Sequence, residues 1–310
     1  MTPTILLTEP IAEAGLALLR AAGRVHVAGT TDPVALRPLL AEADALVVRS
    51  SPVTAEMLES APRLKVVGRH GAGLDRIDLA AAGRLGIRVV GTPGANAESV
   101  AEFVILAALA LARQAPRATA SLSGGLFGPE RSLPAAVVAA GLTGTMLDGR
   151  TLGLVGLGAI GRGVASRARG LGMTVVGHDI AVTEPPDGVR LVSLDELLGE
   201  SDVVSLHVPR TERTTGLIGA AALGRMRPGS LLVNTARAEI VDTPAVLAAL
   251  DSGRLRGYAV DVYQPEPPDP RDPLLHHPQV FATPHMAAMT GDALDAMAVA
   301  VARGVLEHLH

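Results

Sequence analysis

Short apolar runs rich in β-branched residues recur along this chain, and nearly every one leads into a stretch with helical spacing. TILLT, VHVA, ALVV, LKVVG and IRVVG fill the first third, with IAEAGLALLRAAG, VTAEMLES and DLAAAGRLG among them. A second series begins at Thr151: TLGLVG, TVVGHD, VVSLHV, SLLVNTA, GYAVDVY and VFATPH. Parallel strands need a long return connection, so strand–helix alternation predicts parallel sheets with crossover helices. The runs are continuous rather than alternating, which predicts sheets covered on both faces. Two such series in 310 residues predict an α/β protein of two doubly wound domains.

Composition removes several function classes. There is no cysteine, which excludes a disulfide framework, a thiol nucleophile and thiolate metal sites. No metal site is expected. Lys+Arg total 27 against 31 Asp+Glu, for a net charge of −4, and aromatics are 2%. A basic surface and base-stacking platforms are both missing, so nucleic acid is not an expected partner. The N-terminus MTPTILLTEPIAEAG has no basic region before its apolar run and does not read as a signal peptide. The longest apolar run, FVILAALALA at 103–112, is half the length of a membrane span. A cytoplasmic protein without a membrane partner is expected. A long helix is predicted from Ala97 to Leu122, kinked or ended at Pro116. The Gly- and Pro-rich residues 124–145 after it read as an irregular excursion.

TLGLVGLGAIGRG places Gly156, Gly158 and Gly161 in the G-x-G-x-x-G spacing. The first glycine makes a tight turn, the second admits a pyrophosphate, and the third lets helix and strand pack closely. The helix N-terminus then offers N–H donors and a positive dipole end. The next strand ends in Asp179, 18 positions past Gly161, the spacing of the carboxylate that binds an adenosine ribose. That carboxylate repels a 2′-phosphate, and Ile180, Ala181 and Val182 supply no cation. NAD is therefore expected over NADP.

Three later strands end on ionisable residues: Arg237 in VNTARAEIVD, Asp261 and Glu266 in AVDVYQPEP, and His285 in FATPHMAAMT. Ligands of open α/β sheets bind at carboxyl strand ends, so these groups can converge. A guanidinium matches a carboxylate as a planar fork. A histidine moves a proton near neutral pH, and an adjacent carboxylate orients it and favours its charged form. With a nicotinamide, the set suits hydride transfer to a 2-oxo acid. His207 in SLHVP is the second-choice histidine, while His276 and His277 read as solvated. Spacing alone does not pair Glu266 with His285.

At these motifs the chain resembles the D-isomer-specific 2-hydroxyacid dehydrogenases. The likeness runs through DALVVRSSPVTAEML, LKVVGRHGAGLDRIDLAAA, GTPGANAESVAEF, GLGAIGR, SLHVPRTERTTGLIG, LLVNTARAEIVD, AVDVYQPEP and TPHMAAMT, nearly the whole chain. It implies an NAD-dependent oxidoreductase that interconverts a D-2-hydroxy acid and its 2-oxo acid. It implies a catalytic set of Arg237, Glu266 and His285. Implied NAD contacts are Ala159 and Ile160 in the glycine loop, Asp179, Val208, Thr235, Ala236 and Asp261. Ala72 and Gly73 would bind the substrate carboxylate. Arg49 and Arg69 match basic positions of phosphoglycerate dehydrogenases, which makes 3-phosphoglycerate a candidate substrate beside hydroxypyruvate and glyoxylate. A non-catalytic NAD(H)-sensing protein is the competing class. The implied architecture is a Rossmann NAD domain (98–286) inserted into a flavodoxin-like substrate domain (1–97 plus 287–310), with the active site in the cleft between them. A homodimer formed through the helix from Ala97 is also implied. The chain stops after one terminal helix, so no regulatory domain is expected. Departures are Ala238 in place of the usual glycine, Glu239 after it, His70, and the absence of an aromatic-plus-basic pattern in GPERSLPAAVVAAG.

Overall fold

The computed structural model describes residues 2–128 and 131–309. Met1, His310, and Pro129 and Glu130 of the 124–145 excursion lie outside the described residues. The chain divides into two compact units, Met1–Ser99 with Ala288–His310, and Val100–Ala287.

The first unit holds five parallel strands, β1 (Thr4–Leu7), β2 (Arg24–Val27), β3 (Ala45–Val48), β4 (Val66–Arg69) and β5 (Arg88–Val90). Their order, β2-β1-β3-β4-β5, is the flavodoxin-like one. Successive side chains leave opposite faces of a strand. Leu6, Leu46, Val48 and Val67 therefore meet Leu36, Leu40, Met57 and Leu58 on one side. Ile5, Leu7, Val47 and Val66 meet Leu16, Leu19, Val301 and Val305 on the other. The inner strands β1 and β3 are thus buried on both faces, as their continuous apolar runs predict, whereas the edge strand β2 is largely exposed. The last helix, Gly291–Leu306, supplies Ala298, Val301, Ala302 and Val305 to this core. Gly68 permits its approach: a Cβ there would lie 2.6 Å from Val305 Cγ2 and 2.8 Å from Val301 Cγ2.

The second unit holds seven parallel strands, β6 (Thr151–Val155), β7 (Thr174–His178), β8 (Val189–Leu191), β9 (Val203–Leu206), β10 (Ser230–Asn234), β11 (Leu255–Val260) and β12 (Val280–Ala282). Their order is β12-β11-β10-β9-β6-β7-β8. Counted from β6, this is the dinucleotide-binding order 3-2-1-4-5-6 with one strand added. The order reverses between β6 and β9, the switch point where such sheets bind ligands. β8 escapes the sequence reading because it is three residues long and contains an arginine.

The predicted long helix is two helices, Ala97–Ala112 and Ala115–Ser123, bent by 61°. The break is made by Gln114, which adopts a left-handed φ of 51°. Pro116 instead sits in the first turn of the second helix, where its missing N–H costs nothing. The excursion also departs from expectation: Leu133–Ala139 is helical. Among the described residues no single helix is long and apolar enough to cross a membrane.

Candidate functional site

The glycine loop joins β6 to the helix Ala159–Gly170. Gly156 has φ +101°, a conformation that disfavours any side chain, and a Cβ there would crowd the His207 carbonyl carbon at 2.8 Å. A Cβ at Gly161 would collide with the Gly156 carbonyl oxygen, so this glycine sets how closely the helix approaches the strand. At Gly158 the same test finds open space. Gly158 caps the helix without a side-chain bond, which leaves the first-turn N–H groups of Ala159 and Ile160 for an anionic ligand. The loop therefore fits a dinucleotide: Gly156 makes the turn, Gly158 leaves room for a phosphate, and Gly161 lets the helix pack on the strand.

Asp179 follows β7 directly. Its Oδ2 accepts from Leu157 N at 2.8 Å, and its Oδ1 accepts from Ala181 N at 2.8 Å and Val182 N at 3.2 Å. Burial raises the pKa of this carboxyl, but the three backbone donors outweigh it and hold the group below its ordinary value. It is charged and rigidly aimed, and Oδ2 keeps a lone pair for a ribose hydroxyl. Past β9, both ring nitrogens of His207 are shut off from solvent with no partner among the described residues. Burial pushes its pKa down to about 4, so the ring is neutral at pH 7. The second-choice histidine is thus not built to deliver a proton.

The three ionisable strand ends belong to the adjacent strands β10, β11 and β12. After β10 the buried Asn234 folds the chain over: its Oδ1 accepts from Ala236 N at 3.0 Å and its Nδ2 donates to Arg237 O at 2.9 Å. This Asx turn takes the backbone out of the sheet at Arg237, whose Nη1 also donates to Ala236 O at 2.6 Å. Ala238 opens a short 3₁₀ turn, Ala238–Ile240, without a positive φ, so its Cβ is accommodated without backbone strain. Glu239 pairs with Arg210 at 2.9 Å.

After β11, Glu266 Oε1 accepts from Tyr263 N at 3.1 Å and lies 2.9 Å from His285 Nδ1. The pairing that spacing alone left open is therefore present in the folded chain. It directs the Nε2 edge of His285 away from the carboxylate. His285 is about half exposed and adopts φ 55°, unusual for a residue with a side chain. Asp261 helps hold that conformation: at 1% exposure it accepts from Thr283 Oγ1 at 2.6 Å, Met286 N at 2.8 Å and Ala287 N at 2.8 Å. The Tyr263 hydroxyl donates to Thr283 O at 2.8 Å. Burial, and next the Asp261 carboxylate, push its pKa up to about 12, so it stays a donor. Motif spacing does not mark Asn234, Tyr263 and Thr283 for these roles. Asn two residues before Ala236 at a strand end was the one available signal.

In the first unit, Arg49 and Arg69 follow β3 and end β4. Arg49 Nη2 lies 3.3 Å from Met289 Sδ, and Arg69 Nη1 donates to His70 O. His70 is buried beside both, and its Nε2 lacks a partner among the described residues. Burial, then the Arg49 guanidinium, lowers its pKa. Glu9, missed in the sequence, accepts from Ser50 N at 2.8 Å and fixes the β3 exit. Ala72 and Gly73 lie in the loop after β4, where Gly71 O accepts from Thr92 N at 3.0 Å. Among the described residues there is no group of His, Asp and Glu that could hold a metal.

Residues 105–287 match the family model described as "D-isomer specific 2-hydroxyacid dehydrogenase, NAD binding domain". A D-3-phosphoglycerate dehydrogenase 2, chloroplastic, of Arabidopsis thaliana is 41% identical over 98% of this chain and 48% of its own length. The chain spans about half the length of the curated relatives it matches. Among solved structures, the TT0316 protein of Thermus thermophilus superposes with a TM-score of 0.88 at 35% identity, covering 98% of this chain and 96% of that one. A glyoxylate reductase of Paecilomyes thermophila gives 0.86 at 28% identity, covering 100% and 96%.

Proposed function

Because the chain belongs to the D-isomer-specific 2-hydroxyacid dehydrogenases, we propose that it reduces a 2-oxo acid to the D-2-hydroxy acid with NADH and catalyses the reverse oxidation with NAD. The observation that carries the reading is the 2.9 Å contact between His285 Nδ1 and Glu266 Oε1, beyond the ends of β12 and β11, the two strands that follow the Arg237 strand β10 in the sheet. Bound NADH supplies the hydride. Arg237 holds the substrate carboxylate and 2-oxo oxygen through its planar fork. Glu266 fixes the His285 tautomer, leaving Nε2 to protonate the oxygen that becomes the hydroxyl. Asp261, through Met286 and Ala287, keeps the loop that carries His285 in register. Gly156, Gly158, Ala159, Ile160 and Gly161 cradle the pyrophosphate, and Asp179 binds the adenosine ribose. Val208, Thr235 and Ala236 line the path from there toward Arg237.

In this reading the 100–287 unit is the cofactor domain and the remainder the substrate domain. Ala72 and Gly73 offer backbone N–H groups to the substrate carboxylate. Arg49 and Arg69, beside the neutral His70, favour a second anionic group on the substrate, which ranks 3-phosphoglycerate first. Hydroxypyruvate and glyoxylate are the close rivals. The protein is read as a cytoplasmic homodimer, whose interface uses the exposed apolar Leu106, Leu122, Leu126, Leu133 and Val138. The test is NADH and NADPH oxidation against 3-phosphohydroxypyruvate, hydroxypyruvate, glyoxylate and other 2-oxo acids. Turnover with NADH supports the enzyme reading. Tight NADH binding without turnover of any 2-oxo acid would replace it with the NAD(H)-sensing one.

A further inference from the structure

We propose that the amino-terminal edge of the second sheet carries a separate site for a phosphate-class dianion, built by Arg150, Arg227, Arg256 and Ser230. A cavity of about 200 Å³ opens there, lined by these four residues together with Asp202 and Thr145 among others. A water takes up roughly 30 Å³, so the space holds a phosphate-sized ion and its waters. The lining residues sit before or at the start of β6, β9, β10 and β11. The glycine loop and Arg237 follow the opposite ends of β6 and β10. A five-residue strand at about 3.3 Å per residue separates the two edges by roughly 16 Å. The site is independent of the dehydrogenase reading.

Three features point to a ligand. The first is charge. Asp202 is the one carboxylate among three guanidiniums in the cavity lining, which leaves two positive charges. Asp202 is also tied elsewhere: Oδ2 accepts from Thr151 N at 2.9 Å. Oδ1 lies 3.4 Å from Arg227 Nη1 and 3.7 Å from Arg150 Nη1, too far for strong bonds. The second is an orphaned hydroxyl. Ser230 is 2% exposed and lines the cavity, and its Oγ has no partner among the described residues. Buried hydroxyls left unpaired are rare in folded proteins. The third is a local distortion. Ser230 pairs with Leu255 but Leu231 pairs with Gly257, so Arg256 is the extra residue of a bulge. Bulges re-aim side chains and gather at functional sites. Arg256 Nη2 donates to Thr145 Oγ1 at 2.8 Å, while its buried Nε has no partner among the described residues. Burial, and then the Arg150 guanidinium, lowers the pKa of Arg256, the direction expected where like charges outnumber their counterions.

The test uses the NADH-saturated chain, so that the cofactor site is filled. Inorganic phosphate is titrated by calorimetry and thermal shift at low ionic strength, with chloride at matched ionic strength as the control. Saturable binding and a phosphate-dependent rise in Tm are expected, with no response to chloride. Arg256→Gln should weaken binding about tenfold or more, the scale of one charge-assisted hydrogen bond. Ser230→Ala removes only the hydroxyl, keeps the fold, and should weaken binding several-fold. Sulfate should bind like phosphate and succinate poorly; equal binding of succinate overturns the phosphate-class assignment. The proposal also fails if phosphate does not bind, if both variants bind like the parent, or if binding disappears in Arg49→Gln or Arg237→Gln instead.

Discussion

Acidification should destabilise this protein through His207 in a window set by one ring. Burial depresses the His207 pKa to about 4, against about 6.5 for a histidine in the unfolded chain. Between these values the unfolded state takes up a proton that the folded state refuses. Stability therefore falls as pH drops below 6.5, and the loss levels off once pH passes below 4. Going from pH 7.5 to pH 5, the one group costs about 2 kcal/mol, rising toward about 3 kcal/mol near pH 4. The assay is urea unfolding at both pH values, for the parent and for His207→Gln, which does not titrate there. The parent should lose about 2 kcal/mol more than the variant between the two conditions. Using the difference removes the contribution of other groups. Equal losses in the two proteins would show that His207 is protonated in the folded state, and the sealed-ring account would be wrong.

Gly161→Ala should destabilise the second unit by about 1–3 kcal/mol, because its Cβ meets the Gly156 carbonyl oxygen; an unshifted Tm would refute the close-packing role. Asp179→Asn should lower the NADH-to-NADPH ratio of kcat/KM about tenfold by removing the charge that repels a 2′-phosphate, and an unchanged ratio would remove the ribose assignment. Glu266→Gln keeps an acceptor near His285 Nδ1 but removes the charge. Its kcat should fall by less than the roughly 10²–10⁴-fold expected for loss of the acid itself, whereas parental kcat would show that the carboxylate does not act through His285.

Much of the fold, and the motifs of the candidate site, are legible because both follow local rules. Apolar runs in alternation with helical stretches dictated parallel sheets. Gly156, Gly158 and Gly161 carry their meaning in their spacing. What stayed hidden depends on contacts across strands. Nothing near Glu266 in the sequence says that it reaches His285; the adjacency of β11 and β12 does. Asp261 is expected at the nicotinamide, but nothing in its spacing announces that its carboxylate also accepts from Thr283, Met286 and Ala287. The helix break fell at Gln114 rather than Pro116, since left-handed backbone at a glutamine leaves no sequence signature. Arg150, Arg227 and Arg256 belong to no motif and the outer two lie 106 positions apart, and only the strand pairing and the register shift at Ser230 gather them into one cavity.

In the proposed reaction His285, oriented by Glu266, protonates a substrate held by Arg237. It is tested by steady-state NADH oxidation with a turned-over 2-oxo acid in His285→Ala, alongside the Kd for NADH. The chain has no tryptophan, so NADH emission reports binding with little protein background. The expected kcat is about 10²–10⁴-fold below the parent, with NADH affinity within about twofold. Parental turnover in that variant would contradict it.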